Sequence, residues 1–407
     1  MPPTPPHETS AVHELHPLHA GSWWRGWIWP RCFEAWRLSL RPASIGLGTL
    51  LIVLVLLIAQ MPGLWSSVTQ TKARADQIEK FDWAATEITS GVLSLAHMRV
   101  ANGLKLALEA LLGLLTHDPL STLLVGIPAL ALVAVLGGAI SRMGAEMFSL
   151  RRRMSWTEAL GFASKRWASL VGAMLGPLAI IGLLALALAI SGLLAKAEVT
   201  RFVLAIGLGV GLLVGLLAVL MLVGYLLAIP LLPAAVVVES TDAVDAAQRA
   251  YAYVIDRPVR LIFYSAILLA QGVLLAVLAQ WLADFIIGFT HWSMRWFVGD
   301  ALGRSSEGVA TDAQWLLDAL TSSGEHIEKR GAAASIAGFW VVLVRILASG
   351  VGVSAFFASA SVVYLLIRQA ADGQHPSDIW TPGSVPGVSN VAVGDSGINA
   401  SDDEGDE

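Results

Sequence analysis

Two stretches, IGLGTLLIVLVLLIAQM (Ile45 to Met61) and LLALALAISGLLA (Leu183 to Ala195), carry no charged residue. Crossing the hydrocarbon core of a bilayer takes roughly 20 predominantly apolar helical residues, and these runs are of that kind. Membrane strands would alternate polar and apolar side chains between lumen and lipid, which these runs do not do. The spans are therefore expected to be helices, whose backbone groups pair internally where no water is present. Composition points the same way: with 56% hydrophobic and 14% charged residues over 407 positions, the chain has too little polar surface for several water-soluble domains. The expected class is an all-α membrane protein of about six transmembrane helices, with interfacial amphipathic helices and disordered termini.

The expected spans are 44–65, 119–141, 168–194, 202–237, 261–288 and 336–367. The fourth is too long for one straight crossing. Pro230 and Pro233 are expected to kink it, leaving its last turns tilted or near the interface. Between the first two spans, VLSLAHMRVANGLKLALEALLGLL fits either a surface helix or an extension of span two. The expected division is a disordered tail (1–21), an interfacial Trp-rich helix (22–42), a polytopic membrane domain (43–370) and a disordered acidic tail (371–407).

The segment SWWRGWIWPRCFEAW supplies Trp23, Trp24, Trp27, Trp29 and Trp36. On a helical wheel Trp29, Phe33, Trp36 and Leu40 share one side, while Glu34, Arg37 and Arg41 share another. Indole rings favour headgroup depth, and arginines there meet lipid phosphates, so the segment is expected to anchor the chain in the interface. An aromatic ligand site is the less favoured reading. MPPTPPHETS lacks Lys and Arg, so the first apolar run is expected to remain as a signal anchor. With a single cysteine, Cys32, no intrachain disulfide can form.

Lysine and arginine are retained on the cytoplasmic side of short loops. An N-in arrangement gives the cytoplasmic segments fourteen such residues against eleven outside, with six packed into residues 142–167. Both termini are accordingly expected in the cytoplasm and the protein in a bacterial inner membrane. The C-terminal stretch ends SDDEGDE and has eight acidic residues and no Lys or Arg. The expected partners are the lipid bilayer and a protein at the cytoplasmic loops or acidic tail, with no nucleic acid and the oligomeric state left open.

Gly207, Gly211 and Gly215 recur every four residues in span four, as do Gly350, Ser354 and Ala358 in span six, and both stripes are expected to let another helix approach closely. Ionisable groups within spans are costly and few. Asp284, one turn from Gln280 in span five, is expected to pair with Arg345 in span six. His97, His117, His291 and His326 lack ligand spacing, while His7, His13, His16 and His19 fall in the tail. No catalytic, cofactor-binding or metal residue is expected, and nucleophile-elbow, zincin and P-loop patterns are absent from the sequence.

The two larger cytoplasmic loops share a plan. SWTEALGFASKRW places Ser155 and Glu158 as a capping box, and ESTDAVDAAQRAYAYVIDRPVR places Asp242 and Asp245 alike, each ahead of an amphipathic helix and a span. PAAVVVESTDAVDAAQRAYAYVIDRPVRLIF (Pro233 to Phe263) resembles a loop of the bacterial membrane domain attached to some glycerophosphodiester phosphodiesterases. GGAISRMGAEMFSLRRRMSWTEAL (Gly137 to Leu160) is similar to a segment of uncharacterised bacterial polytopic membrane proteins. The resemblance implies a bacterial multi-spanning architecture without the hydrolase domain. The expected function is a non-enzymatic membrane scaffold or partner-binding protein. The alternative is a permease-like transporter subunit, because Glu158-Ala159-Leu160 precedes Pro177 at a spacing similar to the coupling loop of ATP-driven permeases.

Overall fold

A computed structural model describes residues 29–64, 68–94, 96–194, 198–302 and 331–381. They are almost entirely helical, with no strand among them. After a short 3₁₀ turn (Trp29–Phe33) come α1 (Glu34–Ser39), α2 (Pro42–Gln60), α3 (Val68–Leu93), α4 (His97–His117), α5 (Pro119–Leu150) and α6 (Trp156–Lys165). The chain continues through α7 (Trp167–Leu194), α8 (Glu198–Ala228), α9 (Leu231–Glu239), α10 (Ala243–Asp256), α11 (Pro258–Leu302) and α12 (Gly331–Asp372). Six of them, α2, α5, α7, α8, α11 and α12, are long and apolar enough to cross a membrane.

Helix ends follow local chemistry. Pro42 and Pro119 occupy first-turn positions, where a missing N–H costs nothing. Asp118 accepts from the Ser121 N–H at 3.3 Å and breaks the chain between α4 and α5, so the stretch left open between surface helix and span extension is a separate helix, packed against α3 as a hairpin. Span four breaks where the prolines fall. Pro230 cannot donate to the ladder, and the chain turns between Ala228 and Leu231. The segment beyond it is enclosed by protein: every residue of α9 is buried.

Two further boundaries move. Cys32, Ala35, Leu38 and Ser39 are buried, and the Ser354 hydroxyl donates to the Ser39 carbonyl at 2.8 Å, so the described part of 22–42 is docked against the bundle along one face. Its outer side still shows Phe33 and Leu40, with Trp36 half-buried. Residues 371–381 likewise belong to the fold, with α12 running to Asp372 and Ile379 buried beyond it. Trp23, Trp24, Trp27, the N-terminal tail and the acidic end from residue 382 lie outside the described residues.

α12 is the hub, touching α1, α2, α5, α9 and α11. A side chain at Gly48 would come within 2.6 Å of the Gly350 carbonyl, and one at Gly350 within 2.9 Å of the Thr49 nitrogen, so α2 and α12 meet backbone to backbone. Further along α12, Ala358 packs on Gly144 of α5, and reciprocal serine bonds clasp the same pair: Ser141 Oγ donates to the Phe357 carbonyl (3.1 Å) and Ser361 Oγ to the Ser141 carbonyl (2.7 Å). The glycines of α8 differ. Gly207 has nothing within 4 Å of where a side chain would start, and Gly211 and Gly215 meet only the Leu188 side chain at 3.9 Å. None of the apolar window of α8 is buried, against 44% of that of α12. The expected close approach of a second backbone is therefore made by the α12 stripe and not by the α8 stripe.

Two outcomes follow. Gly350→Leu should destabilise the protein by about 1–3 kcal/mol or more through overpacking, whereas Gly207→Leu should change stability by less than about 0.5 kcal/mol, as read by thermal unfolding in mild detergent. Burial pushes the Cys32 thiol up to about 11 from 9.0, against a smaller opposing effect of its own backbone hydrogen bond. A raised pKa favours the neutral thiol in the fold, so its contribution to stability is complete below pH 9.0 and is lost as pH rises towards about 11. Maleimide should accordingly fail to label native membranes at pH 8 and label fully after denaturation.

Candidate functional site

The densest polar chemistry lies at the end of the bundle shared by the start of α2, the end of α5, the start of α7, α9, the start of α11 and the end of α12. Arg142 and Glu146 stand one turn apart on α5 and are both almost fully buried. Helical geometry puts an i, i+4 pair on one face, so the helix itself delivers the carboxylate to the guanidinium. Arg142 donates from Nε (3.1 Å) and Nη2 (2.8 Å) to Glu146 Oε1. It also donates from Nη1 to the Val237 carbonyl (2.6 Å) and from Nη2 to the Trp380 carbonyl (2.7 Å). The Phe162 ring lies 4.7 Å from its central carbon and the Trp380 ring 5.9 Å, covering the cation with π surfaces.

A second cluster surrounds Glu239, the last residue of α9. The Tyr364 hydroxyl donates to Oε1, Arg368 Nη1 lies 3.7 Å from the same oxygen, and Arg249 Nη1 lies 2.6 Å from Oε2. These partners come from α12 and α10, so one carboxylate ties three helices. Beside it the Tyr253 hydroxyl donates to Asp372 Oδ2 at 2.5 Å, and the Tyr253 and Tyr364 rings meet edge to face at 5.8 Å. Burial first, then the bond to Asp372, holds the Tyr253 phenol well above its usual range, so it stays protonated and donating.

The chain after α12 closes over both clusters. Gly373 takes a left-handed turn (φ 68°), and the Trp380 N–H donates to the Val238 carbonyl at 2.9 Å. Arg368 Nη2 donates to the carbonyls of Asp378 (2.5 Å) and His375 (3.5 Å). Trp380 also packs on Phe162 of α6, with ring centres 5.7 Å apart. The capping positions sit as the sequence implies: Ser155 accepts from the Glu158 N–H (3.2 Å) and Asp242 from the Asp245 N–H (2.9 Å). Each loop also begins with a non-glycine residue in the left-handed region, Arg151 (φ 55°) after α5 and Ser240 (φ 56°) after α9. Such positions cost roughly 1 kcal/mol and persist where the surroundings require the turn. The two loops thus share a start as well as a cap.

At the opposite side of the bundle Arg345 Nη2 stands 3.7 Å from Asp284 Oδ1, at side-chain exposures of 41% and 61%, on the outside of the seam between α11 and α12. Gln280 donates across that seam to Ser349 Oγ at 2.7 Å. The structure therefore brings together Asp284 with Arg345, and Gly350, Ser354 and Ala358 with their neighbours; it does not bring a helix onto Gly207, Gly211 or Gly215. Among the described residues no three His, Cys, Asp or Glu side chains converge as a metal set. Arg142, Glu239 and Arg368 fall just beyond the ends of the expected spans 119–141, 202–237 and 336–367, so hydropathy alone does not mark them as buried. The available signal was Arg142-x3-Glu146 inside an apolar run.

No family model, curated protein or solved structure matches this chain. The two segments that carry the resemblance noted above, Gly137 to Leu160 and Pro233 to Phe263, are those that supply Arg142, Glu146, Glu239, Arg249 and Tyr253.

Removing one partner of a buried pair leaves an uncompensated charge. Glu239→Gln, which strands Arg368, should cost about 3–5 kcal/mol of stability. Tyr364→Phe, which removes one hydroxyl bond, should cost about 1–3 kcal/mol. Denaturation midpoints in detergent rank the two.

Proposed function

We propose that this multi-pass membrane protein is a non-enzymatic scaffold of the bacterial cytoplasmic membrane, with both termini cytoplasmic, which binds a protein partner through the helices α6 and α10 and the acidic tail. The observation that carries this reading is that the buried charges are spent on one another: Arg142 on Glu146 and two carbonyls, Glu239 on Tyr364, Arg249 and Arg368. Such a network holds helices in place, while the outward faces of the loop helices remain exposed to meet other molecules. On α10 the outward face carries Val244 and Ile255, 64% and 75% exposed, beside Asp245 and Gln248. The orientation is supported by Arg31, Arg37, Arg41, Arg151, Arg152 and Arg153, all at the end of the bundle that holds the buried clusters.

A transporter subunit is the second reading, and one observation favours it. α6 is a short, separate helix between two spans whose first turn offers Glu158, 44% exposed and 2.7 Å from Arg152, which is the placement a coupling helix needs. The test is crosslinking of the full chain in mild detergent followed by mass spectrometry. The scaffold reading expects a second polypeptide joined to residues 151–166, 243–256 or the acidic tail. A copurifying nucleotide-hydrolysing subunit, lost on Glu158→Ala, would replace it with the transport reading. Crosslinks confined to this chain alone would overturn both.

A further inference from the structure

The arginines at the start of α2 and after α5 are unequally provided for. Arg151 Nη2 pairs with Glu34 at 2.8 Å, Arg152 Nη2 with Glu158 at 2.7 Å, and Arg31 lies over the Phe148 ring at 5.0 Å. Among the described residues Arg37, Arg41 and Arg153 have no carboxylate within ion-pair distance. Arg41 is the most demanding of the three: its Nη1 is shut off from solvent and donates to nothing. A shielded, unanswered donor on a charged group is among the costlier defects a fold can carry.

Arg153 makes the demand sharper. The Arg151–Glu34 pair holds the loop after α5 against α1, which places Arg153 at the same junction as Arg41; the Arg41 guanidinium is held below its usual range by burial first and then by the charge of Arg153. Guanidinium forks gathered at one junction with no carboxylate within ion-pair distance offer the donors that phosphate oxygens take two at a time. Their depth selects the source. Arg41 immediately precedes Pro42, the first residue of a membrane-spanning helix, and Phe33, Leu40 and Leu150 nearby leave 54%, 44% and 38% of their surface exposed. Apolar side chains showing at that level suit acyl chains, and a free phosphate would gain nothing from them.

The geometry points to a binding site for the phosphate of an anionic phospholipid headgroup, formed by Arg41 and Arg153 with Arg37 beside them, at the junction of α1, α2 and the loop after α5. The site is independent of whether the protein scaffolds or transports, since it uses none of the residues of the buried clusters.

The experiment uses the full chain in mild detergent, titrated with short-chain phosphatidylglycerol, short-chain phosphatidylcholine or inorganic phosphate, with thermal unfolding read by maleimide labelling of Cys32. Phosphatidylglycerol is expected to raise the midpoint, and the other two to leave it unmoved at the same concentration. Arg153→Gln, a change at an exposed loop residue, should weaken the apparent Kd for phosphatidylglycerol about tenfold, the loss of one charge-assisted contact, and the double variant R41Q/R153Q further. Without lipid, Arg153→Gln should not lower the midpoint, because it relieves a like-charge repulsion; a purely structural arginine would lower it. R41K/R153K should recover part of the affinity, and Arg152→Gln, already paired with Glu158, should leave it unchanged. An equal response to phosphatidylcholine, an Arg153→Gln protein that keeps the wild-type Kd, or a lipid-free midpoint lowered by Arg153→Gln would overturn the site. A response to inorganic phosphate as large as that to phosphatidylglycerol would overturn its assignment to lipid.

Discussion

One carboxylate, Glu239, holds the architecture to a single arrangement. It lies at the end of a helix buried at every residue, and its partners Tyr364, Arg249 and Arg368 arrive from two other helices. In a medium where water cannot screen or solvate, an ionised group must meet its counter-charge at short range, so each partner fixes the position of the others. The Arg142–Glu146 pair extends the same logic to α5, α9 and the chain after α12. Apolar packing between spans is interchangeable by comparison, since lipid tails compete for it on nearly equal terms.

That competition explains why the spans are packed so unevenly. Where small residues and serines coincide, as at Gly48 with Gly350 and Ser141 with Ser361, backbones approach and hydrogen bonds form that lipid cannot replace. α8 has its stripe of Gly207, Gly211 and Gly215, but among the described residues nothing beyond the Leu188 side chain comes within 4 Å of where their side chains would start, and α8 packs against α7 and α10. A run of small residues lets helices come together; a neighbour with something to offer decides whether they do.

The hydrophobic spans were legible because their signal is local: each run must cover the hydrocarbon thickness by itself. The pairing of Asp284 with Arg345 was also legible, because two isolated charges in apolar helices leave few alternatives for one another. Caps at Ser155 and Asp242 could be read for a similar reason, since donor and acceptor lie three residues apart. Arg368 and Glu239, by contrast, look like ordinary loop charges next to span ends. Nothing in their neighbours along the chain says that Tyr364 and Arg249 will enclose them.

By itself, then, the sequence determined the environment, the number of spans, the break at Pro230 and the caps, since those depend on residues within a few turns of one another. Only the tertiary structure decided which small-residue stripe meets a partner, that residues 371–381 return to cover Arg142, and that Arg41 Nη1 is shielded from solvent without an acceptor. These outcomes depend on which distant groups arrive at the same point in a low-dielectric interior, and a linear chain does not encode distance in space.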